Sequence, residues 1–221
     1  MVMNKAYKGP EELPEVIAVF PLAGALLLPR GELPLNVFEP RYLAMIDDAL
    51  KSHRIIGMIQ PQETSASRDV PDLLGVGCAG RITQVAESGE GRYLLTLTGV
   101  ARFRMSAEIP AATPYRQARV DFSDFLADFT PRMGESAVDR DSVLRTLADF
   151  AEANQLQIDW SSINDAPNEA LVNALAMMSP YGPKEKQALL EAPDLKARAE
   201  VLVAITEGEL ARGRSTTSPL Q

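Results

Sequence analysis

The sequence has few of the residues that build reactive or metal-binding sites. It contains one histidine, one cysteine and one tryptophan. A single cysteine excludes an internal disulfide and any multi-cysteine metal site within one chain, and it fits a reducing compartment. His53 and Cys78 are far apart in sequence and no calcium-loop motif is present, so we expect neither a metal nor a cofactor.

Long hydrophobic runs are also missing. No stretch approaches the roughly 18 apolar residues of a membrane helix, and the first residues, MVMNKAYKGPEELPEV, lack the apolar core of a secretion signal. We therefore expect a cytoplasmic protein without a membrane partner. Basic surface is scarce too, since the formal net charge is -8 and the pI is about 4.8. An exposed phosphate backbone would be repelled on average, which disfavours a nucleic-acid partner.

Catalytic motifs are absent as well. The chain has no G-x-S-x-G elbow, no S-x-x-K motif and no phosphate-binding loop. Gly75, Gly77 and Gly80 match G-x-G-x-x-G by letter, but a strand pattern follows them where a phosphate site needs a helix. We interpret them as bulge or close-packing glycines, Cys78 as a small buried residue, and His53 as a cation capping the preceding helix.

The first half of the 221 residues has the pattern of short strands separated by Gly, Pro and polar clusters. The loop PQETSASRDVPD, 61–72, is polar, and SGEG at 88–91 indicates a hairpin. In its second strand Tyr93, Leu95 and Leu97 share one face. The predicted strands cover 16–20, 25–28, 32–38, 54–60, 75–86, 92–98, 101–109 and 115–122. This spacing suggests a small barrel or sandwich.

One helix is predicted inside this half, in LPLNVFEPRYLAMIDDAL. Pro40 suits a first helical position because its missing N–H would have no partner there. Tyr42, Leu43, Ile46 and Leu50 then recur with helical spacing on a core-facing stripe.

The second half changes to a helical period. We predict a β-rich subdomain over 14–121, a linker over 122–134, an α-helical subdomain over 135–212 and a disordered tail over 213–221. Pro167 and Pro183 suit first helical positions, and Asp194 suits an N-cap. The fold class is therefore α+β.

Two apolar groups are candidates for a peptide-binding surface. In the linker, DFSDFLADF places Phe122, Phe125 and Phe129 on one side of a helical turn. They either dock the helical half onto the β half or form an exposed groove. Met177 and Met178, with Tyr181 close behind, are either core or an adaptable peptide surface. The alternating Arg102 and Arg104 are interpreted as a solvated strand face.

Three segments together resemble a known family. FPLAGALLLPRGELPLNVFEPRYLAMIDDAL contains Phe20-Pro21-Leu22, Leu28-Pro29-x-Gly31 and the signature Glu39-Pro40-Arg41-Tyr42. GVGCAGRITQVAESGEGRYLLTLTGVARFRM ends in Gly99-x-x-Arg102-Phe103-Arg104, and PKEKQALLEAPDLKARAEVLVAI follows near the end of the chain. Spanning about residues 14 to 206, they resemble the N-terminal substrate-binding domain of Lon proteases, in the form of short stand-alone bacterial proteins.

The resemblance implies a PUA-like pseudo-barrel followed by a helical bundle, and a role in recognising protein substrates. The ATPase and Ser-Lys peptidase modules of Lon are not found in this sequence, so we expect no enzyme. We expect instead a non-catalytic module that binds unfolded or exposed apolar polypeptide segments, with an ATP-dependent protease or a chaperone as a further partner. The alternatives are a hydrolase with a dispersed site and RNA binding through the PUA-like fold.

The resemblance also suggests a role for the charged corner. Glu39 and Arg41 flank Pro40 in the signature, where hydrogen bonds to the backbone or to each other would fix the strand-to-helix junction. We expect a half-buried structural pair and a lower melting temperature for Arg41→Ala.

Overall fold

The computed structural model describes residues 6–63, 70–89, 91–110 and 112–216. A β lobe comes first and a helical lobe follows it, as the α+β prediction required. The strands are β1 Val16–Pro21, β2 Glu32–Val37, β3 Ile55–Pro61, β4 Leu73–Ser88, β5 Arg92–Ile109 and β6 Gln117–Asp121. The helices are α1 Pro40–Lys51, α2 Arg140–Ala153, α3 Trp160–Asp165, α4 Asn168–Met178, α5 Pro183–Glu191 and α6 Leu195–Thr216, with 3-10 turns at Pro10–Glu12, Ser123–Phe129 and Glu135–Ala137.

The six strands form one sheet in the order β2-β5-β4-β3-β1-β6, and β6 also pairs with β5. That second pairing closes five strands into a ring. The long strand β5 makes this possible, because its first part pairs with β2 and its last part with β6, as in Leu97 opposite Leu33 and Glu108 opposite Ala118. The predicted barrel is therefore confirmed.

Strand alternation supplies two hydrophobic cores. Ile17 and Val19 of β1 belong to the cluster around Phe103 inside the ring. The intervening Ala18, with Phe20, faces the other cluster, which lies between the ring, α1 and the helical lobe. Because β4 and β5 also contribute to both clusters, the barrel wall is buried on both faces where the helices cover it.

The helices follow their sequence signals closely. α1 begins at Pro40 and buries Tyr42, Met45, Ile46 and Ala49. Pro183 opens α5, and Asp194 Oδ1 accepts a hydrogen bond from the Ala197 N–H at the start of α6. Pro167 is the N-cap residue of α4 instead of its first helical residue.

Other expectations need correction. The predicted strand 25–28 pairs with no strand; Leu26, Leu27 and Leu28 are buried in the core between the lobes, and a turn follows at 29–30. The predicted strands 92–98 and 101–109 are one strand, β5, continuous through Gly99. The helix α3 was not predicted, although Asp159 caps it through the Ser161 and Ser162 amides.

Helix α6 continues to Thr216, past the predicted start of the tail at 213. The rest of that tail, and residues 64–69 of the predicted polar loop, lie outside the described residues.

Candidate functional site

The charged corner at the start of α1 is a surface feature. Arg41 Nε donates to Glu39 Oε2 over 2.9 Å, and both side chains are about half exposed, 52% and 46%. The Arg41 guanidinium also lies 4.5 Å from the centre of the Tyr42 ring. The expected half-buried pair therefore forms, and a pair with this much solvent contact contributes little to stability.

The residue that anchors this corner is Tyr42. Its ring is buried 4.2 Å from that of Phe20, and burial raises its pKa. At this corner the signature residues thus combine a buried aromatic contact with an ion pair in contact with solvent.

The phenylalanines of the linker lie inside the protein. Phe122 and Phe125 are buried and Phe129 is partly buried, so they do not form the exposed surface that was one reading of their spacing. The segment Ser123–Phe129 is a kinked 3-10 helix with Phe125 outside helical angles, so the α-helical face does not form. Phe122 joins the barrel core and Phe125 the interlobe core.

The second candidate group, Met177, Met178 and Tyr181, is split between the surface and the interior. Tyr181 is buried and its hydroxyl lies 2.6 Å from Thr206 Oγ1, which removes it from any surface. Met178, by contrast, is 83% exposed at the end of α4. Met177 lies against the β lobe, where its sulfur occupies the space that a Cβ on Gly31 would need.

The two methionines line a groove between the lobes. This interlobe groove has a volume of about 380 Å³. It is walled by the Pro29–Glu32 segment of the β lobe, the linker at Pro131–Arg132, and α4. Its apolar lining comprises Pro29, Gly31, Pro131, Pro167, Ala170, Ala174, Met177 and Met178. Small and flexible apolar side chains of this kind adapt to varied apolar partners.

A more polar pocket adjoins the groove. It has a volume of about 390 Å³ and a floor that includes Thr83, Thr98 and Gly99 on β4 and β5. Arg30, Glu32 and Pro131 line both spaces, so the two form one continuous depression. Together they fall in the size range of ligand-binding clefts.

An ionic ring of Arg30, Arg132, Glu135 and Glu169 lies at the rim of the groove. The Glu169 carboxylate on α4 accepts from the Arg30 guanidinium, with Arg30 Nε at 3.0 Å, and from the Arg132 amide at 2.8 Å. Glu135 accepts from the Glu169 amide and from Arg132 Nε. Burial acts to raise the pKa of Glu135, but these hydrogen bonds outweigh it and hold the pKa below its usual value. The ring joins the β lobe, the linker and the helical lobe.

Two arginines of this ring have unusual backbone angles. Arg30 has φ 64° and Arg132 has φ 63°, in the left-handed region that costs a non-glycine residue about 1 kcal/mol. The Arg30 guanidinium and the Arg132 backbone amide both donate hydrogen bonds to the Glu169 carboxylate. Strained backbone of this kind persists where the surroundings fix it, and it is common at binding sites.

A second, buried charge network joins β5, the linker and the helical lobe. Arg102 donates to both carboxylate oxygens of Asp128 at 2.9 Å and to the Leu190 and Ala192 carbonyls of the helical lobe. Its guanidinium lies 4.6 Å from the centre of the Phe125 ring. Arg102 is 2% exposed, so the solvated face expected for it was wrong. Arg104 is exposed and pairs with Asp124, as expected.

Arg198 of α6 completes this network. It donates to the Leu189 carbonyl and to Asn173 Oδ1, and Asn173 in turn donates to the Pro29 carbonyl across the lobe boundary. Burial, followed by the nearby Arg102 charge, lowers the pKa of Arg198 to about 10. The lobes are therefore fastened together by hydrogen bonds as well as by apolar packing.

The structure shows the surroundings of the single cysteine and the single histidine. Cys78 is buried, as expected, and burial raises its pKa, so it is a thiol. His53 accepts a hydrogen bond from the Ile55 amide through Nδ1, and burial lowers its pKa. The neutral ring cannot act as the cationic helix cap that was predicted.

Two exposed carboxylates have pKa values shifted away from what a general acid needs. Hydrogen bonds from Ser123 and Ser162 lower the pKa values of Asp121 and Asp159, whereas a general acid needs a raised one. Within the described ranges there is no cluster of three His, Cys, Asp or Glu side chains that could hold a metal. No helix in that part of the chain is long and apolar enough to span a membrane.

Sequence reasoning missed most of the groove rim. Arg30 and Gly31 lie in a recognisable turn, but nothing in the pattern links them to Glu169, which lies 139 residues further on. Met177 and Met178, which line the groove, were candidates because they are adjacent at a helix end.

Comparison with known proteins agrees with the fold. Residues 16–207 match the model of the ATP-dependent protease La (LON) substrate-binding domain. The chain is 30% identical to Lon protease 2 of Myxococcus xanthus and 28% identical to Lon protease of Anaeromyxobacter dehalogenans, each over 202 residues. These alignments cover 88% of this chain but only 24% and 23% of the relatives, so it spans about a quarter of their length.

Solved structures give the same result for the fold. A Lon N-terminal domain protein from Xanthomonas campestris matches with a TM-score of 0.60 and 21% identity, over 86% of this chain and 97% of the other. The N-terminal domain of Lon protease from the Mycobacterium avium complex matches with a TM-score of 0.63 and 19% identity, over 87% and 98%. With the family model covering most of its length, the chain belongs to the Lon substrate-binding domain family.

Proposed function

We propose that the interlobe groove holds exposed apolar segments of other polypeptides, and that the chain carries out no reaction on them. The observation that carries this proposal is the exposed Met178 beside Met177 in a groove whose other apolar lining is alanine, proline and glycine. The name of the family, a substrate-binding domain, supports the same role.

The shape of the groove suits an unfolded chain. Its walls come from both lobes and from the linker, and the ionic ring fixes their positions before any partner arrives. A preformed apolar site loses little entropy on binding and can accept many sequences. We expect broad and weak binding, with dissociation constants in the range of about 1 μM to 1 mM.

Titration of a fluorescent apolar peptide, read by anisotropy, tests this function. Met178→Glu places a charge in the groove at an exposed position, so we expect a folded protein with at least about tenfold weaker binding. Leu156→Glu is the matched control, because Leu156 is also exposed, at 54%, but lies outside the groove. Equal binding by both variants and the parent protein would refute the groove assignment.

We further propose that the bound segments are passed to an ATP-dependent protease or a chaperone in the cytoplasm. The relatives that contain this domain as about a quarter of their length are themselves named Lon protease, which supports a proteolytic context. Affinity capture from the native extract, with and without ATP, should recover an ATP-dependent protease if the chain is an adaptor. Recovery of varied client proteins alone would indicate a holding role.

A further inference from the structure

One carboxylate in the groove differs from the others. Glu135 and Glu169 belong to the ionic ring, and Asp128 is held by Arg102. Glu32 lines both the groove and the adjoining polar pocket, and it is exposed. Across the described ranges of the chain Glu32 makes no ion pair.

The position of Glu32 is set by the sheet. It is the first residue of β2 and lies opposite Thr98 of β5, which lies opposite Arg81 of β4. Two strand spacings, about 10 Å, therefore separate the backbones of Glu32 and Arg81. Arg81 lines the adjoining polar pocket, where its guanidinium donates to the Tyr7 hydroxyl and lies 5.7 Å from the centre of the Tyr7 ring, so it is directed to Tyr7 and makes no ion pair with Glu32.

The basic side chains of the groove are already matched. Arg30 is held by Glu169, and Arg132 by Glu135. An acidic segment would be repelled by Glu32 and would find Arg30 and Arg132 already paired. A lysine or arginine beside an apolar residue would instead form an ion pair with Glu32.

We propose that the groove prefers apolar polypeptide segments carrying a lysine or arginine next to the apolar residue, and that Glu32 recognises this cation. The inference rests on the proposed function and defines its substrate class. The apolar residue contacts Met177 and Met178, and the ammonium or guanidinium lies at Glu32 where the two spaces meet. Because the pair is exposed, we expect a preference of about two- to fivefold.

Three labelled peptides test this preference. They share one apolar core and differ only in the flanking residue, which is lysine, glutamine or glutamate. On the parent protein at about 50 mM salt we expect the lysine peptide to bind about two- to fivefold more tightly than the glutamate peptide, and the difference to shrink with added salt.

Variants at Glu32 make the test specific. Glu32→Gln should abolish the discrimination, and Glu32→Lys should reverse it. Asp149→Lys is the control, since it changes the net charge equally from an exposed position on α2 outside the groove, and it should leave the preference in place. Glu32→Gln keeps the test decisive if the lysine variant does not fold.

The outcomes separate the two proposals. Equal binding of all three peptides, or a lysine preference unchanged in Glu32→Gln, would overturn the role of Glu32 and leave the groove function standing. Failure of every peptide to bind, including the glutamine peptide, would overturn the groove function itself.

Discussion

The Arg102 guanidinium donates to both carboxylate oxygens of Asp128, and side-chain exposures of only 3% and 8% place this ion pair in the interior. Arg104, two residues further along β5, pairs through Nε with Asp124, four residues before Asp128, at the surface, where the exposures are 56% and 52%. The same sequence pattern thus produces one buried and one solvated ion pair, depending on what covers the strand.

This contrast gives the first prediction. Asp128→Ala leaves the Arg102 charge buried without its partner, so we expect a loss of about 3–5 kcal/mol in the free energy of unfolding. Asp124→Ala removes an exposed pair and should cost no more than about 1 kcal/mol. Urea denaturation of both variants measures the difference, and similar losses would contradict the structural roles assigned here.

Gly99 gives the second prediction. A Cβ at this position would overlap the Leu28 carbonyl, because the Pro29–Arg30 turn crosses β5 there with backbone hydrogen bonds at 2.8 Å on both sides. We expect Gly99→Ala to destabilise the protein by about 1–3 kcal/mol. Gly75→Ala is the control, since a Cβ on Gly75 meets nothing within 4 Å. The idea fails if thermal and urea denaturation find the two variants equally stable.

The third prediction concerns Arg41. Its pair with Glu39 is exposed, so we expect Arg41→Ala to lower the free energy of unfolding by about 0.5 kcal/mol. For a protein of this size the melting temperature should fall by roughly 1–2 °C. Peptide binding in the groove should not change. An unchanged melting temperature together with altered peptide binding would instead make this corner a binding element.

The fourth prediction concerns pH. Burial lowers the pKa of His53 in the folded protein, so the unfolded chain binds the proton more tightly. The contribution of His53 to the free energy of unfolding is therefore fully present above the unfolded pKa of about 6.5. It decreases as the pH falls from that value towards the folded pKa. Urea denaturation between about pH 7 and pH 5 should show this decrease.

The variant His53→Asn isolates that contribution. The asparagine oxygen can still accept the Ile55 amide hydrogen bond that His53 Nδ1 accepts at 3.1 Å, but it does not titrate. We expect a flatter dependence on pH over the same range. An equally steep dependence in the variant would assign the effect to other groups.

The sequence predicts the barrel and most helices because alternation and helical periodicity report which face of an element is apolar. They do not report what covers a polar face. Arg102 and Arg104 have the same spacing in the pattern, yet Arg102 lies under the ends of α5 and the Ala192 turn. This difference depends on the docking of residues about 90 positions away, which local pattern cannot encode.

The linker illustrates a second limit. The spacing of Phe122, Phe125 and Phe129 fits one α-helical face, but a 3-10 helix with a kink at Phe125 divides the rings between two cores. The tertiary packing decides the local structure here. Among the groove residues, Met177 and Met178 are noticeable in the sequence because they are adjacent. The contacts among Arg30, Glu169 and Arg132 are visible only in the folded chain.

The pairing of β1 with β6 has a consequence for synthesis. Val16 lies opposite Arg119, so about 100 residues must leave the ribosome before the barrel can close. At translation rates of roughly 5–20 residues per second, β1 waits about 5–20 seconds with one edge open to other nascent chains. A protein proposed to shelter unfolded segments therefore passes through a stage in which its own first strand is such a segment.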